Sequence, residues 1–194
     1  MPTRREQAER TQSQILDVAA AEFARNGYAG TTLLEITTKA GISRGGMFHH
    51  FESKRAIAER LRESEGRRWD ELLDVSTQNA ARGLPAVRAA AHHIVDVLEA
   101  NVRARALLRI IDEVDDGSPT PFTIWRGVFE RLIQQGIADG QVPDSISASD
   151  AASILTECVW AAVFIPEAGA TGTTPRARIG RALALFEVGV ATRA

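Results

Sequence analysis

The chain has 194 residues, 44% of them apolar, enough to bury a core in one large domain or in a small one joined to a larger one. Its 23 basic and 25 acidic side chains leave a formal net charge of −2, so the whole-chain charge does not mark a nucleic-acid-binding protein. A single cysteine, Cys158, excludes an intrachain disulfide and argues against a cysteine-rich zinc site, and no apolar run has signal-peptide or membrane-spanning character, which predicts a soluble, cytoplasmic protein without cofactor or metal.

Strand-like alternation is nowhere sustained, and the chain reads as all-α. Residues 1–10 are polar and carry Arg4, Arg5 and Arg10. They fit either a loose arm reaching phosphates or a minor groove, or an ordinary solvated terminus. A first helix is predicted over 11–26, with Ile15, Ala19 and Phe23 at i+4 steps, and Asn26-Gly27 ends it. Thr32 stands three residues before Glu35, the capping-box spacing that satisfies two free backbone N–H groups. Leu33, Ile36 and Ala40 then form one apolar face. Gly41 suits the left-handed residue that closes a helix, Ile42 fills the corner, Ser43 can cap the next helix, and Met47 and Phe51 face inward. Helix, glycine turn and second helix make a helix-turn-helix. The outer face of the second helix would carry Ser43, Arg44, Gly45, Gly46, His49 and His50. Two adjacent glycines there cost about 1 kcal/mol each relative to Ala. The pattern fits a backbone that a DNA major groove must approach closely, or a frayed turn facing solvent.

Two segments narrow that choice. Residues 23–32 read FARNGYAGTT and residues 36–54 read ITTKAGISRGGMFHHFESK. At this spacing the stretch 11–54 strongly resembles the DNA-binding domain of TetR-family transcriptional regulators. The resemblance implies a three-helix head whose Ser43 helix enters the major groove. Carried over residue by residue, it places Ser43, Arg44, Gly45, Phe48 and His49 against base edges or phosphates, and Thr31, Thr32 and Lys54 against phosphates. Arg44 is the candidate for base readout, because a guanidinium bridges guanine O6 and N7. His50 either faces phosphate or packs between helices, with packing preferred. The family usually has Tyr where this chain has Phe48, which cannot donate to a phosphate but can touch a thymine methyl. The charge distribution agrees in sign: residues 1–55 carry 8 basic and 6 acidic groups, the remainder 15 and 19.

A fourth helix is predicted from Ser53 towards 78, with Ile57, Leu61, Trp69, Leu72 and Leu73 inward, and it would join a DNA-binding domain, 1–54, to a second domain, 55–194. A turn over 79–85 precedes a helix over 85–100 that turns Val87, Ala91, Ile94 and Leu98 inward. His92 and His93 are adjacent and so point about 100° apart, which disfavours a shared metal. A short helix over 103–114 centres on Leu107, Leu108 and Ile111, and a break follows at 115–121. From Pro121, Phe122, Trp125, Phe129 and Leu132 share one face. They read as plain core, or Trp125 and Phe129 line a cavity. After a turn at 140–144, Ser147 caps a helix with Asp150 at its third position. Over 151–165 that helix is apolar almost all round, so it needs an extra partner. With the last helix, 175–191, it points to a four-helix dimer interface across a two-fold axis.

The order of an Arg109–Glu113 segment, Trp125 and an apolar helix with an aromatic near its end is similar to the γ-butyrolactone-receptor branch of that family. This second resemblance implies ligand contact at Trp125, with Phe129, Trp160 and Leu107 expected as further lining; the TetR family dimerises through its last two long helices, so the expected dimer face is Val159, Ala162, Val163, Ala182 and Phe186. The expectation is a homodimeric repressor that binds a pseudo-palindromic double-stranded operator and is released by a small apolar lactone or furan. The alternatives are an efflux regulator sensing a toxic compound and, from a different class, a protein-sensing helical adaptor. An enzyme is not expected: there is no nucleophile with a paired base, no metal-spaced cluster and no glycine-rich phosphate loop.

Overall fold

The computed structural model describes residues 3–77, 82–114, 117, 120–165 and 173–190, with backbone alone for 66–77 and 112. The side chains of Trp69, Leu72 and Leu73 therefore lie outside the described residues, as does part of the break at 115–121. The described residues form α1 (Arg4–Asn26), α2 (Leu33–Lys39), α3 (Arg44–His50), α4 (Lys54–Thr77), α5 (Gly83–Ala100), α6 (Val102–Ile110), α7 (Pro121–Ala138), α8 (Ala148–Phe164) and α9 (Pro175–Val190). A 3-10 turn over Ile111–Glu113 follows α6, so that short helix ends earlier than its apolar pattern predicts. There is no strand among them, and no helix is long and apolar enough to cross a membrane. The fold is all-α, an N-terminal helix-turn-helix followed by a helical C-terminal part.

One expectation is corrected at the start. Residues 4–10 are not a loose arm but the first turns of α1, because Thr3 and Glu6 make a capping box there: the Thr3 hydroxyl accepts from the Glu6 N–H and the Glu6 carboxylate from the Thr3 N–H.

Contacts divide the chain into two compact units. The first holds residues 1–69 and 101–118, the second 70–100 and 119–194. In the first unit α6 lies along α1. Ile15, Ala19 and Phe23 from α1 are buried with Ile36, Met47, Ile57, Leu61, Leu107 and Ile110. Polar ties set the angles between these helices. Gln14 Nε2 donates to the Ala40 carbonyl at 3.0 Å, holding the helix-turn-helix corner to α1. Arg103 on α6 meets Asp17 at 2.8 Å and the Ser13 hydroxyl at 2.9 Å. The Glu22 carboxylate is buried, and Lys39 at 2.7 Å and the Asn26 amide at 3.2 Å satisfy it, so the end of α2 is bound to α1 by a compensated charge.

In the second unit α5 packs against α7, α8 and α9, and α7 against α8. Its inward face is Val87, Ala91, Ile94 and Leu98, with Ala86 and Ala90 beside them. Arg88 reaches Glu187 at 2.9 Å, and Arg176 pairs with Asp96, which ties α5 to α9 on both sides of His92. The α8 helix buries Ala151, Ala152, Leu155, Thr156, Val159 and Ala162, leaving Ile154 exposed, with Ile165 exposed just past its end. Val159 and Ala162, expected at a dimer face, pack within this chain.

Candidate nucleic-acid interface and effector region

The helix-turn-helix is built by local capping. The Thr32 hydroxyl accepts from the Glu35 N–H at 3.2 Å, and the Glu35 carboxylate accepts from the Thr32 N–H at 2.8 Å. These bonds to the charged form hold the Glu35 carboxyl below its ordinary range. Ala40 ends α2, and Gly41 follows at φ +66°, a conformation that any side chain would strain. The Ser43 hydroxyl accepts from the Gly46 N–H at 3.1 Å and starts α3. Met47 and Phe51 are buried, which fixes the rotation of α3 about its axis. The opposite side then carries Ser43, Arg44, Gly45, Phe48 and His49, all exposed. No atom stands within 4 Å of where a Cβ on Gly45 would project. The Arg44 guanidinium lies over the Phe48 ring, 5.8 Å from its centroid, an i,i+4 cation–π contact that limits where the arginine points. His50 is half-buried, edge-on to His49 at 5.3 Å between ring centroids.

Two of the residues expected to hold phosphates are engaged elsewhere. Thr31 is 1% exposed and its hydroxyl donates to the Gly27 carbonyl at 2.8 Å. Lys54 is turned into the α1–α2 loop. Its Nζ donates to the carbonyls of Tyr28 at 2.7 Å and Thr31 at 2.8 Å and sits 4.0 Å from the centroid of the Tyr28 ring. Burial in turn pushes the Tyr28 phenol above its usual value, and the ring stacks on Phe23 with centroids 5.8 Å apart. The Lys54 ammonium is therefore a clamp on the loop, while its backbone N–H stays in the first turn of α4. Thr32 is at the surface.

One exposed residue escaped the sequence reading. Leu34, on α2, is 74% exposed and faces a cavity of about 240 Å³ together with Leu33, Thr37, Arg44, Met47 and Phe48. The signal was available: Leu34 falls outside the stripe that buries Ile36 and Ala40.

The residues expected to meet an effector divide between the units. Leu107 is buried in the first unit, on α6. Trp125, Phe129 and Trp160 belong to the second, with Trp125 and Phe129 fully buried in it. Phe122 joins the two tryptophans. Its ring meets Trp125 edge-on at 5.6 Å and Trp160 at 5.2 Å, and Trp160 continues to Phe164 at 4.0 Å. A cavity of about 340 Å³ opens at Phe122, lined also by Thr123, Arg126, Ser153, Thr156 and Glu157. Val163, Ala182 and Phe186 are half-buried. A second hollow of about 320 Å³ lies between α8 and α9, where Cys158, Ala161 and Ile165 face Arg178, Arg181 and Ala182. Burial raises the Cys158 thiol above its usual value. His92 and His93 are half-buried, and His92 Nδ1 and His93 Nε2 are enclosed without a hydrogen-bond partner. Among the described residues no three His, Cys, Asp or Glu side chains are grouped as a metal site.

Comparison with known proteins adds to this geometry. Residues 15–61 match the family model described as bacterial regulatory proteins, tetR family. The A-factor receptor protein of Streptomyces griseus is 26% identical over 83% of this chain, and the chain spans only 56% of that protein's length. A solved γ-butyrolactone receptor, described as ArpA-like, superposes with a TM-score of 0.69 at 25% identity, covering 94% of this chain and all of its own. CprB of Streptomyces coelicolor, solved in complex with its biological operator sequence, superposes with a TM-score of 0.76 at 26% identity, covering 96% of this chain and 90% of CprB.

Proposed function

We propose, on the premise that residues 15–61 match the TetR family, that the chain is a ligand-responsive transcriptional repressor acting as a homodimer on a pseudo-palindromic operator. The observation that carries this reading is the outer face of α3, where Ser43, Arg44, Gly45, Phe48 and His49 are exposed around a helix held by the buried Met47 and Phe51. Residues 1–54 would serve DNA and 55–194 effector binding and dimerisation. Arg44 would read a guanine edge, Gly45 would let the backbone come close, and Thr32 and the Lys54 N–H would hold phosphates.

An apolar surface on α8 and α9 supports the dimer. On α8 the exposed Ile154 is followed by the half-buried Cys158 and Ala161 at i+4 and i+7, with Ile165 exposed just past the helix end, and on α9 Leu185 and Val188 are 77% and 81% exposed. Large apolar side chains in that number call for a covering surface, and a second copy would bring the same stripe. Half-buried Val163, Ala182 and Phe186 would flank it.

The effector would be a small apolar molecule with one or two polar groups, of the γ-butyrolactone or furan class. Supporting this are the aromatic run Trp125–Phe122–Trp160 and the names of the relatives. Because Trp125 is covered, an effector meeting it would have to displace Phe122. By favouring a state of the dimer that no longer fits two adjacent major grooves, it would release the DNA, for which a few kcal/mol of preference suffice.

The test is binding to the DNA upstream of the protein's own gene, titrated with salt and then with a γ-butyrolactone. A discrete complex with steep salt dependence is expected, lost on adding the lactone. Arg44→Ala is expected to cost about 1–3 kcal/mol on the operator and to relax one base position. A uniform loss on all sequences would assign Arg44 to phosphate. A complex that ignores lactones would remove the effector class, and absence of a specific complex would remove the regulator.

A further inference from the structure

Two large apolar side chains stand out on the first unit, Leu34 at 74% exposure on α2 and Phe48 at 46% on α3. A single exposed leucine needs no explanation. Here both line one cavity, about 240 Å³, with Leu33, Thr37, Arg44 and Met47 as its remaining walls. Folding does not need them there. The stripe that fixes α2 is Ile36 with Ala40, and the one that fixes α3 is Met47 with Phe51, all buried. The cavity lies beside Ser43 and Gly45, on the face assigned to DNA, and Arg44 is one of its walls.

We infer that this cleft is a reader of thymine, seating the C5-methyl group of one operator thymine between Leu34 and Phe48, next to the guanine bridged by Arg44. The inference rests on the DNA-binding reading and names a specificity determinant within it. The occupant follows from the chemistry of the partner. The floor of the major groove is a mosaic of donors and acceptors, and its one apolar group is the thymine methyl. A carbon-lined hollow with a cation at its rim complements a methyl beside the two guanine acceptors, and little else in a groove. The Arg44–Phe48 stack couples the two contacts, since the ring that walls the cleft also aims the guanidinium. The same geometry accounts for phenylalanine at 48: a hydroxyl on that ring would add a polar group to an apolar wall, which desolvates at a cost unless it finds a partner.

The experiment uses the full chain and an operator half-site pair chosen by selection from random duplexes. Each thymine is replaced in turn by deoxyuridine, which removes the methyl and leaves pairing and groove polarity intact. One position per half-site is expected to lose about fourfold in affinity, the equivalent of one buried methyl, and about 15-fold when both half-sites are changed. In Leu34→Ala and Phe48→Ala the same replacement is expected to change affinity less than twofold. Both residues are exposed, so the variants keep the fold, checked by unchanged thermal unfolding. A specific complex in which no thymine responds, or a response that survives both substitutions, overturns the cleft while leaving the regulator intact. So does a silent thymine scan with altered sedimentation of DNA-free Phe48→Ala, which would make the cleft a contact between proteins. If no duplex is selected, the DNA-binding reading itself fails, and the cleft with it.

Discussion

His92 shows how much a single side chain is set by what surrounds it. It is half-buried on α5, with Gly180 of α9 beside its ring: a Cβ there would make an ordinary van der Waals contact, 3.6 Å from His92 Cε1. Burial lowers its pKa first, and the Arg176 and Arg88 guanidiniums add to the effect, while Asp96 opposes it. Glu187 faces the same region through its pair with Arg88. A histidine that is harder to protonate folded than unfolded costs stability once the unfolded chain begins to take up protons. The neutral ring carries no such cost above about pH 6.5, and the loss grows as pH falls through that value. Thermal unfolding of the wild type is expected to drop more steeply between pH 7 and 5 than that of His92→Gln. Parallel profiles would assign the acid sensitivity to other groups. A carboxyl in the first unit acts in the same direction at lower pH: the Glu35 cap stabilises α2 at neutral pH and is lost as pH falls below the usual carboxylate range.

At the scale of the element, the helix-turn-helix was legible because its determinants are local. Thr32 with Glu35, Gly41, and Ser43 lie within a turn of what they control, so spacing alone exposes them. The same rule would have found the start of α1, where Thr3 and Glu6 repeat the Thr32–Glu35 spacing, had the polar composition of that stretch not argued for a loose arm. Lys54 was not legible. Its role depends on two carbonyls 23 and 26 residues away, brought under the ammonium by the packing of α1. Lys54→Met is expected to destabilise the first unit by about 2 kcal/mol, since two loop carbonyls lose a charged donor. Unfolding midpoints measured without DNA check this. An unchanged midpoint with weakened DNA binding would return the side chain to the phosphates. The rotation of α8 was not legible for a different reason. Apolar residues all round give no phase, so sequence does not tell the inner Val159 and Ala162 from the outer Ile154.

For the whole molecule, the outward stripe on α8 and α9 leads to a test of assembly. Leu185→Glu and Val188→Glu place charges at positions 77% and 81% exposed in one chain, where they cost folding little. In a dimer built on that stripe they would be buried as like charges across a two-fold axis. Sedimentation at micromolar concentration is expected to show a monomer for the double variant and a dimer for the wild type, with operator affinity falling as the two half-sites are no longer held together. A dimer that survives both changes would move the interface elsewhere. The residues expected to line an effector site are the least legible at this scale. The aromatic run through Phe122 depends on how α7 meets α8, and Leu107, expected to line the same site as Trp125, belongs to the first unit.

The grouping of residues 101–118 with 1–69 has a practical side for anyone cutting or splicing this chain. The first unit is not a leading segment that scissors at residue 69 would release. A fragment ending there lacks α6, and the side of α1 that α6 covers, with its Asp17 and Ser13 anchors for Arg103, would meet water. Such a piece is expected to be sticky and poorly folded, and its failure to bind DNA would say nothing about α3. A chimera that trades heads with another regulator needs two grafts, the leading 69 residues and the returning segment 101–118, matched as a pair.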